Sequence, residues 1–182
     1  MKHLTRTHIG LALVLIILAA LVSAPLPFYG RQWHLLMHIV GAILFVGNIV
    51  IAAAWMTLAM LTRQVKVLHF AAKAVNMADI LFTIPGVLLL LINGLYLAPA
   101  YGGGDLLGAR WVVAALILLT VSGVIWGGFL LRYQFQLVDL SATGEEVSAA
   151  FDGVFKKWTG WGVVATVLPI ISLVLMVFKP GF

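Results

Sequence analysis

The chain has 182 residues, of which 63% are hydrophobic and 9% are charged, and its formal net charge at pH 7 is +5. Soluble domains carry about 25% charged residues, so this composition excludes an ordinary soluble enzyme, a disordered chain and a nucleic-acid-binding domain with a basic face. The absence of cysteine excludes disulfides, iron–sulfur clusters, thiolate zinc sites and cysteine nucleophiles.

Five stretches between charged residues are long enough to cross a bilayer. Each contains at least 21 consecutive uncharged residues, and a crossing helix requires about 20 apolar residues. Because backbone polar groups in lipid must be satisfied within their own segment, each stretch is expected to be an α-helix. The sequence therefore predicts an all-α fold, with residues 1–182 forming one polytopic bundle of five transmembrane helices. The predicted spans are about 8–24, 33–61, 75–97, 110–132 and 158–178.

The first span has features of a signal peptide as well as those of a membrane helix. A basic start with Lys2 and Arg6, an apolar middle and the sequence Val22-Ser23-Ala24 match a cleavable signal. Pro25 would follow the cleavage site and disfavours cleavage, so we expect a retained helix.

Lysine and arginine are distributed unequally between the two sides of the predicted bundle. With five spans, eight of them lie on the N-terminal side, and three, Arg31, Arg110 and Lys179, lie on the other side. The positive-inside rule then places the N-terminus in the cytoplasm and the C-terminus outside. The positive charge is thus a topology and lipid signal, and no nucleic-acid partner is expected.

Two segments beside the spans are predicted to be amphipathic. Residues 63–79 carry polar and apolar side chains at helical spacing, which predicts a lead-in to the third helix at the membrane interface. Before the fifth helix, Thr143 and Glu146 match a capping box, and the apolar face of residues 151–158 predicts an interfacial helix. Pro85 is expected to kink the third span.

Polar side chains at membrane depth are costly and therefore provide the leads to function. The candidates in or next to the spans are His34, His38, Asn48, Asp79, Thr83 and Asn93. The sequence lacks H-E-x-x-H, G-x-S-x-G and paired carboxylates, so it leaves open whether the chain is an enzyme.

Two histidines and three further side chains predict a pocket at the outer surface. His34 and His38 are four residues apart and share a face of the second helix near its outer end. The third helix runs in the opposite direction and brings Asn93 and Tyr96 to the same level, where Trp111 begins the fourth helix. These residues are predicted to line a cofactor-binding pocket, in which His38 binds a metal or haem iron. Alternatively, His34 is a solvated interfacial residue and His38 a hydrogen-bonded core residue.

Asp79 is the carboxylate closest to an apolar span. Its position makes it a candidate proton or ion relay. The alternative is a solvated interface residue, or one that pairs with Lys73 or Arg132. Asn48 and Asn93 are more typical of hydrogen bonds between helices than of ligands.

Several motifs resemble those of a bacterial integral-membrane family of unknown function. Residues 38–48 resemble its opening L-H-x-x-G-A-x-x-x-x-G pattern, and residues 78–86 resemble its Ala-Asp-Trp-Leu-Phe-Thr-x-Pro pattern. Trp126 with residues 131–140, and the segment 155–158, are similar to later motifs. The likeness covers about residues 33–180.

That family is distantly similar to membrane-bound, haem-dependent protoporphyrinogen oxidases and to copper-resistance D-type membrane proteins. The resemblance implies b-type haem at His38, which matches a histidine on the first helix of the oxidases. The oxidases also carry a Trp-x-x-x-Lys motif. In this chain Ala115 stands where the lysine would follow Trp111, which argues against oxidase activity.

Two functions from different classes are therefore predicted. The first is an integral membrane protein without catalytic activity, an accessory subunit, small transporter or scaffold. Its expected partners are membrane lipid and either a second copy of the chain or a membrane complex. The alternative is a haem-binding redox protein with haem b as cofactor and His38 as axial ligand. Proton or metal transport through Asp79 and His38 is a further alternative.

Overall fold

The computed structural model of the protein describes residues 6–24, 30–105 and 107–181. All regular elements in these ranges are helices, which confirms the predicted all-α class. Lys2 and Pro25, on which the choice between a signal peptide and a retained helix depends, lie outside the described residues. The helices are α1 Arg6–Val22, α2 Arg31–Thr62, α3 Val65–Ala78, α4 Ile84–Leu97, α5 Arg110–Ile125, α6 Leu131–Ala142 and α7 Ala149–Phe178.

Two π-helical turns join shorter helices into longer ones. Asp79–Thr83 joins α3 to α4, and Trp126–Leu130 joins α5 to α6. A 3₁₀ turn, Ala98–Ala100, extends α4. The chain therefore contains long continuous helical segments at Val65–Ala100 and Arg110–Ala142.

Four helical segments are long and apolar enough to cross a bilayer. They are Arg31–Thr62, Val65–Ala100, Arg110–Ala142 and Ala149–Phe178, and the most apolar window of each has a mean hydropathy of 2.2 to 2.4. Helix α1 is apolar but has 17 residues, so it is about 25 Å long against a hydrocarbon core of about 30 Å. Length and composition thus confirm four of the five predicted spans, and the first stays a prediction.

Both predicted amphipathic segments are parts of longer helices. Helix α3 continues into α4 through a π-helical turn, and α7 is continuous from its first residue to its last. The predicted capping box of Thr143 and Glu146 is wrong, because Ser148 caps α7 by accepting a hydrogen bond from the Phe151 backbone N–H at 3.1 Å. Because α7 begins after this cap and continues to Phe178, the predicted interfacial helix and the fifth predicted span form one helix.

The helices pack as antiparallel pairs. Helix α2 packs against α4, α5 against α7 and α3 against α6, while α1 lies on α4. Hydrogen bonds from His34 to Asn93 and from Asn48 to Asp79 fix the opposite directions of α2 and of the helix that contains α4. Helix α2 also contacts α3 and α7, and α6 contacts α7. The pairs are therefore joined at the end of the bundle where α2 ends and α7 begins.

That end of the bundle is rich in basic side chains, and we call it the basic end. Arg63 ends α2 in a left-handed conformation with φ 53°. Its guanidinium donates two hydrogen bonds to the Asp152 carboxylate of α7, at 2.7 and 3.1 Å. An apolar core fills the space inside the basic end, and its most buried side chains are Met56, Leu68, Val75, Leu137 and Phe151.

Helices α2 and α4 approach each other so closely that their backbones touch. A Cβ atom added to Gly41 would lie 2.5 Å from the Leu90 backbone nitrogen and 2.7 Å from the Gly86 carbonyl oxygen. A Cβ atom on Gly86 would lie 2.8 Å from the Phe45 nitrogen. Small residues are typical of such crossings, because close packing takes the place of the hydrophobic effect between helices in lipid.

Replacing Gly41 with alanine should destabilise the protein, because the new methyl group would overlap backbone atoms of α4. Overpacking of this kind costs about 1–3 kcal/mol, which should lower the unfolding temperature of the purified protein in detergent. Gly47→Ala is the matched control on the same helix, since a Cβ atom there meets nothing within 4 Å. Alanine should even favour the helix at that position. Equal unfolding temperatures of the two variants would contradict the close contact.

Candidate functional site

A carboxylate lies at the centre of the bundle. Asp79 begins the first π-helical turn, and 5% of its surface is exposed. Four side chains donate hydrogen bonds to it, two to each oxygen. Asn48 and Thr83 bind Oδ1 at 3.0 and 2.9 Å, and Trp126 and Gln134 bind Oδ2 at 3.2 and 3.0 Å. The carboxylate therefore connects α2 with both π-helical turns and with α6.

All four donors to Asp79 are uncharged. Asn48 also donates to the Thr83 hydroxyl oxygen at 2.8 Å, so that hydroxyl accepts one hydrogen bond and donates another. Within the described part of the chain, neither Lys73 nor Arg132 forms an ion pair with Asp79, so the solvated or ion-paired alternative does not hold. Each carboxylate oxygen therefore accepts two hydrogen bonds, which uses the acceptor capacity of the group.

The first π-helical turn lies directly before Pro85, where the sequence predicts a kink. The Ile84 N–H bonds to the carbonyl of Asp79, five residues back, directly before Pro85. Proline has no N–H to donate, so the wide turn ends where a regular helix would lose a hydrogen bond anyway. Such single π-helical turns are frequent at functional sites.

The second π-helical turn rotates α6 so that its side chains can reach the same carboxylate. The Leu131 N–H bonds to the Trp126 carbonyl, five residues back. Trp126 and Gln134 are eight positions apart, which would put them about 80° apart around a regular helix at about 100° per residue. A π-helical turn inserts one extra residue and reduces this angle to about 20°. Both side chains therefore reach Asp79.

A cavity of about 730 Å³ opens beside the carboxylate, between the α2–α4 pair and the α5–α7 pair. Its wall is mostly hydrocarbon. The rim includes the exposed residues Thr57, Thr120 and Val163, which lie inside the apolar spans. The cavity therefore opens sideways towards lipid. Its polar lining includes Asp79, Thr83, Ser122, Trp126, Gln134 and Trp158; below we call it the lateral cavity.

A smaller cavity of about 240 Å³ shares Asp79 and Trp126 with the lateral cavity. The rest of its lining includes His8, Lys73 and Asn76, whose side chains are polar. The carboxylate and the indole thus lie between a space with a partly polar wall and a space with an apolar wall.

The structure brings three of the five predicted pocket residues into contact. His34 Nδ1 lies 2.7 Å from Asn93 Oδ1, and the imidazole stacks on Tyr96 with ring centroids 3.8 Å apart. The Asn93 amide nitrogen donates to the Leu89 carbonyl and to the Ser23 hydroxyl, both at 2.8 Å. Its oxygen therefore faces His34, whose Nδ1 donates. His34 and Asn93 have no exposed surface, so His34 is not a solvated interfacial residue.

His38 lies one turn further along α2 and is half-buried. Its Nδ1 lies 2.7 Å from the Leu90 carbonyl oxygen. A carbonyl can only accept, so Nδ1 carries the hydrogen and Nε2 is the nitrogen that could bind a metal. The ring packs against the backbone of α4, because a Cβ atom on Gly94 would lie 2.8 Å from His38 Cε1. The described residues contain no group of three or more histidine, cysteine, aspartate or glutamate side chains arranged for a metal ion.

Trp111, the fifth predicted pocket residue, belongs to a different set of contacts. Its indole lies edge-on to Tyr101, with ring centroids 5.5 Å apart. It is also part of an apolar cluster at the end of the bundle opposite the basic end, with Ala98, Ala109 and Val112. Among the described contacts, Trp111 is therefore not part of the group formed by His34, Asn93 and Tyr96, and the common pocket stays a prediction.

Asn48, Asp79 and Thr83 are candidates that the sequence predicts, whereas the other two donors are not. Trp126 and Gln134 occur in the sequence only as parts of a motif. A tryptophan in the middle of a predicted span is unusual, because tryptophans concentrate at the membrane interface. That position is the one sequence signal that could have identified Trp126. Gln134 follows the predicted span 110–132 and carries no such signal.

Asp79→Asn should lower the stability of the protein although the side chain keeps its size. One carboxylate oxygen becomes an NH₂ group that faces two donors, so two buried donors lose their acceptor. A buried donor without a partner costs about 1–3 kcal/mol, so we expect a loss of about 3 kcal/mol and a lower unfolding temperature in detergent. Asp105→Asn is the control, because that side chain is exposed and its Oδ1 accepts from the Leu107 N–H at 3.1 Å. Equal unfolding temperatures for both variants would refute the proposed importance of the network.

The chain has a family match that covers most of its length. Residues 34–180 match the family described as predicted integral membrane protein (DUF2269), nearly the same stretch as the predicted likeness. No curated protein and no solved structure is significantly similar to the chain. The matched region contains Asp79 with its four donors and all four membrane-spanning segments except the first three residues of Arg31–Thr62. The protein is therefore an integral membrane protein, and it belongs to the DUF2269 family of predicted integral membrane proteins.

Proposed function

We propose that this protein is a non-catalytic membrane component, an accessory subunit or scaffold, whose helices are held in place by the Asp79 network. The observation that carries the proposal is the full use of the carboxylate, since each oxygen accepts two hydrogen bonds from neutral donors. A transporting or catalytic carboxylate must exchange protons or ions. These four hydrogen bonds instead hold the group in one position and rigidify the helices that provide them.

The proposed topology includes α1 as a fifth span. Helix α1 packs along α4, and Ser23 just beyond its end accepts a hydrogen bond from Asn93 near the end of α4. Seventeen residues are at the lower limit of about 17–25 for a crossing helix. With eight of eleven basic residues on the N-terminal side, we propose a cytoplasmic N-terminus and an outside C-terminus in a bacterial inner membrane.

The proposed partners follow from the same role. The whole chain, residues 1–182, acts as one bundle in contact with membrane lipid, and it associates with a second copy of itself or with a membrane complex. Large apolar side chains such as Leu61, Phe70 and Phe178 are more than 70% exposed and are available to lipid or to such a partner. No nucleic-acid partner is proposed.

A second candidate function is proton or cation transport through Asp79. The smaller cavity favours it, because the side chains of Lys73 and Asn76 line that cavity together with the carboxylate. Asp79 also lines the lateral cavity, which lies between the membrane-spanning segments. Transport would require the four hydrogen bonds to open in turn, which is why this function ranks second.

Haem b at His38 is the alternative implied by the resemblance to haem-dependent oxidases. The hydrogen bond from Nδ1 to the Leu90 carbonyl suits an imidazole that binds iron through Nε2. The fit is otherwise poor, because the backbone at Gly94 packs against the ring and His34, one turn away, is engaged by Asn93 and Tyr96. A Soret band in the purified protein that disappears in His38→Ala would establish this alternative.

Extraction with native lipid should recover the protein in an assembly larger than one chain. Polymer-bounded nanodiscs keep the membrane surroundings, and the mass of the particles reports the partners. His38→Ala should leave the assembly intact, because the described hydrogen bond of His38 joins only α2 and α4. Asp79→Asn should reduce the yield of the assembly, because Asp79 connects the α2–α4 pair with the α5–α6 segment. Wild-type particles that contain one copy of the chain and no other protein would overturn the scaffold proposal.

Proton flux separates the scaffold from the transporter. In proteoliposomes loaded with a pH-sensitive dye and subjected to a pH step, the scaffold proposal expects equal acidification rates for wild type, Asp79→Asn and protein-free vesicles. Asp105→Asn controls for the loss of a carboxylate elsewhere in the chain. A wild-type flux that persists in Asp105→Asn and disappears in Asp79→Asn would replace the scaffold by the transporter.

A further inference from the structure

We propose that the lateral cavity binds an uncharged lipid with a hydroxyl head group, of the diacylglycerol class, which enters from the bilayer. Its volume of about 730 Å³ lies within the range of about 300–1,000 Å³ that is usual for ligand sites. The proposal goes beyond the scaffold role, because it concerns space that the Asp79 network does not fill.

The cavity is open to the hydrocarbon of the membrane. Thr57 of α2, Thr120 of α5 and Val163 of α7 are exposed at its rim, and all three lie in segments that are apolar enough to cross a bilayer. The hydroxyl groups of both threonines donate to carbonyls of their own helices, at 2.8 Å. The rim therefore presents an apolar surface, and a molecule that enters must be soluble in lipid.

Two side chains that line the cavity each carry a buried polar atom without a partner among the described residues. Gln134 Oε1 and Trp158 Nε1 are buried and have no hydrogen-bond partner in the described part of the chain. Both side chains line the cavity, and the two residues are 5% and 7% exposed. Unpaired polar atoms in an apolar site are costly, so a ligand that satisfies them gains binding energy.

The identities of these two atoms determine the chemistry of the head group. Gln134 Nε2 donates to Asp79 Oδ2 at 3.0 Å, which fixes the amide orientation and leaves Oε1 as an acceptor. Trp158 Nε1 can only donate. The matching ligand therefore offers both a donor and an acceptor, as a hydroxyl group does alone and as a hydroxyl beside an ester carbonyl does in diacylglycerol.

The cavity wall disfavours charged head groups. Among the described residues its lining includes Asp79 and no lysine, arginine or histidine. A phosphate or carboxylate head group would therefore lie near the Asp79 carboxyl group without a basic partner. An ammonium group would find both carboxylate oxygens already engaged by two donors each. An uncharged head group avoids both costs.

Photo-crosslinking in nanodiscs tests the proposal on the full-length protein. The probe is a diacylglycerol with a diazirine in one acyl chain, and mass spectrometry locates the labelled peptides. We expect saturable labelling of residues that line the lateral cavity. Unlabelled diacylglycerol should compete, whereas its acetylated form, which has no hydroxyl, and phosphatidic acid should compete at least fivefold less well.

Variants at the cavity rim and at Trp158 complete the test. Val163→Trp should fill the entrance and abolish saturable labelling, whereas Val177→Trp, on the same helix and 66% exposed outside the cavity lining, should not. Trp158→Phe removes the donor but keeps an aromatic ring, and it should weaken binding of the probe about five- to tenfold. It leaves the Asp79 donors intact, so the assembly measured in nanodiscs should not change.

Several results would overturn the proposal. Labelling that does not saturate, or that survives Val163→Trp, would show a lipid contact without a site. Equal competition by the acetylated form would show that the buried polar atoms bind water and not the ligand. Better competition by phosphatidic acid would show that the site accepts an anion. If Trp158→Phe unfolds, the pair Val163→Trp and Val177→Trp still decides, and none of these results depends on whether the protein is a scaffold.

Discussion

The arrangement of this bundle depends on one buried carboxylate. A carboxyl group at membrane depth is tolerated only when protein groups replace the water that it loses. Asp79 obtains four neutral donors, from α2, from both π-helical turns and from α6. Because a hydrogen bond weakens quickly with distance and angle, these four contacts fix how the α2–α4 pair sits against the α5–α6 segment. Helix packing in lipid without these hydrogen bonds would fix the α2–α4 pair against the α5–α6 segment less specifically.

The π-helical turns are the local structure that this constraint requires. A regular α5–α6 helix would turn Gln134 away from the side on which Trp126 lies, and the extra residue of the wide turn corrects that rotation. In the other segment the wide turn ends at Pro85, whose missing N–H makes an interruption inexpensive there. The irregular backbone therefore lies where its hydrogen-bonding cost is smallest and its effect on the site is largest.

The sequence predicted the helices well and the site only in part, for physical reasons. Charge-free stretches report directly on burial in lipid, so they located the four long spans. Cost at membrane depth also identified Asn48, Asp79 and Thr83. The contribution of Gln134 depends on helix rotation, which one inserted residue changes by about 100° and which no local pattern reveals. In the same way, the sequence predicts His34 near Asn93 and Tyr96, whereas the contacts of Trp111 depend on how α5 packs at the end of the bundle opposite the basic end.

The lateral cavity follows from the same constraint. The apolar core of the basic end and the cluster around Trp111 close the bundle at its two ends, while the Asp79 network holds the helix pairs at a fixed separation between them. The side chains facing this gap are too few to fill about 730 Å³, and an empty space of that size is costly in a close-packed interior. Filling this space from the side is the role that we propose for a lipid of the bilayer. The unpaired polar atoms of Gln134 and Trp158 are then the groups expected to select among lipids.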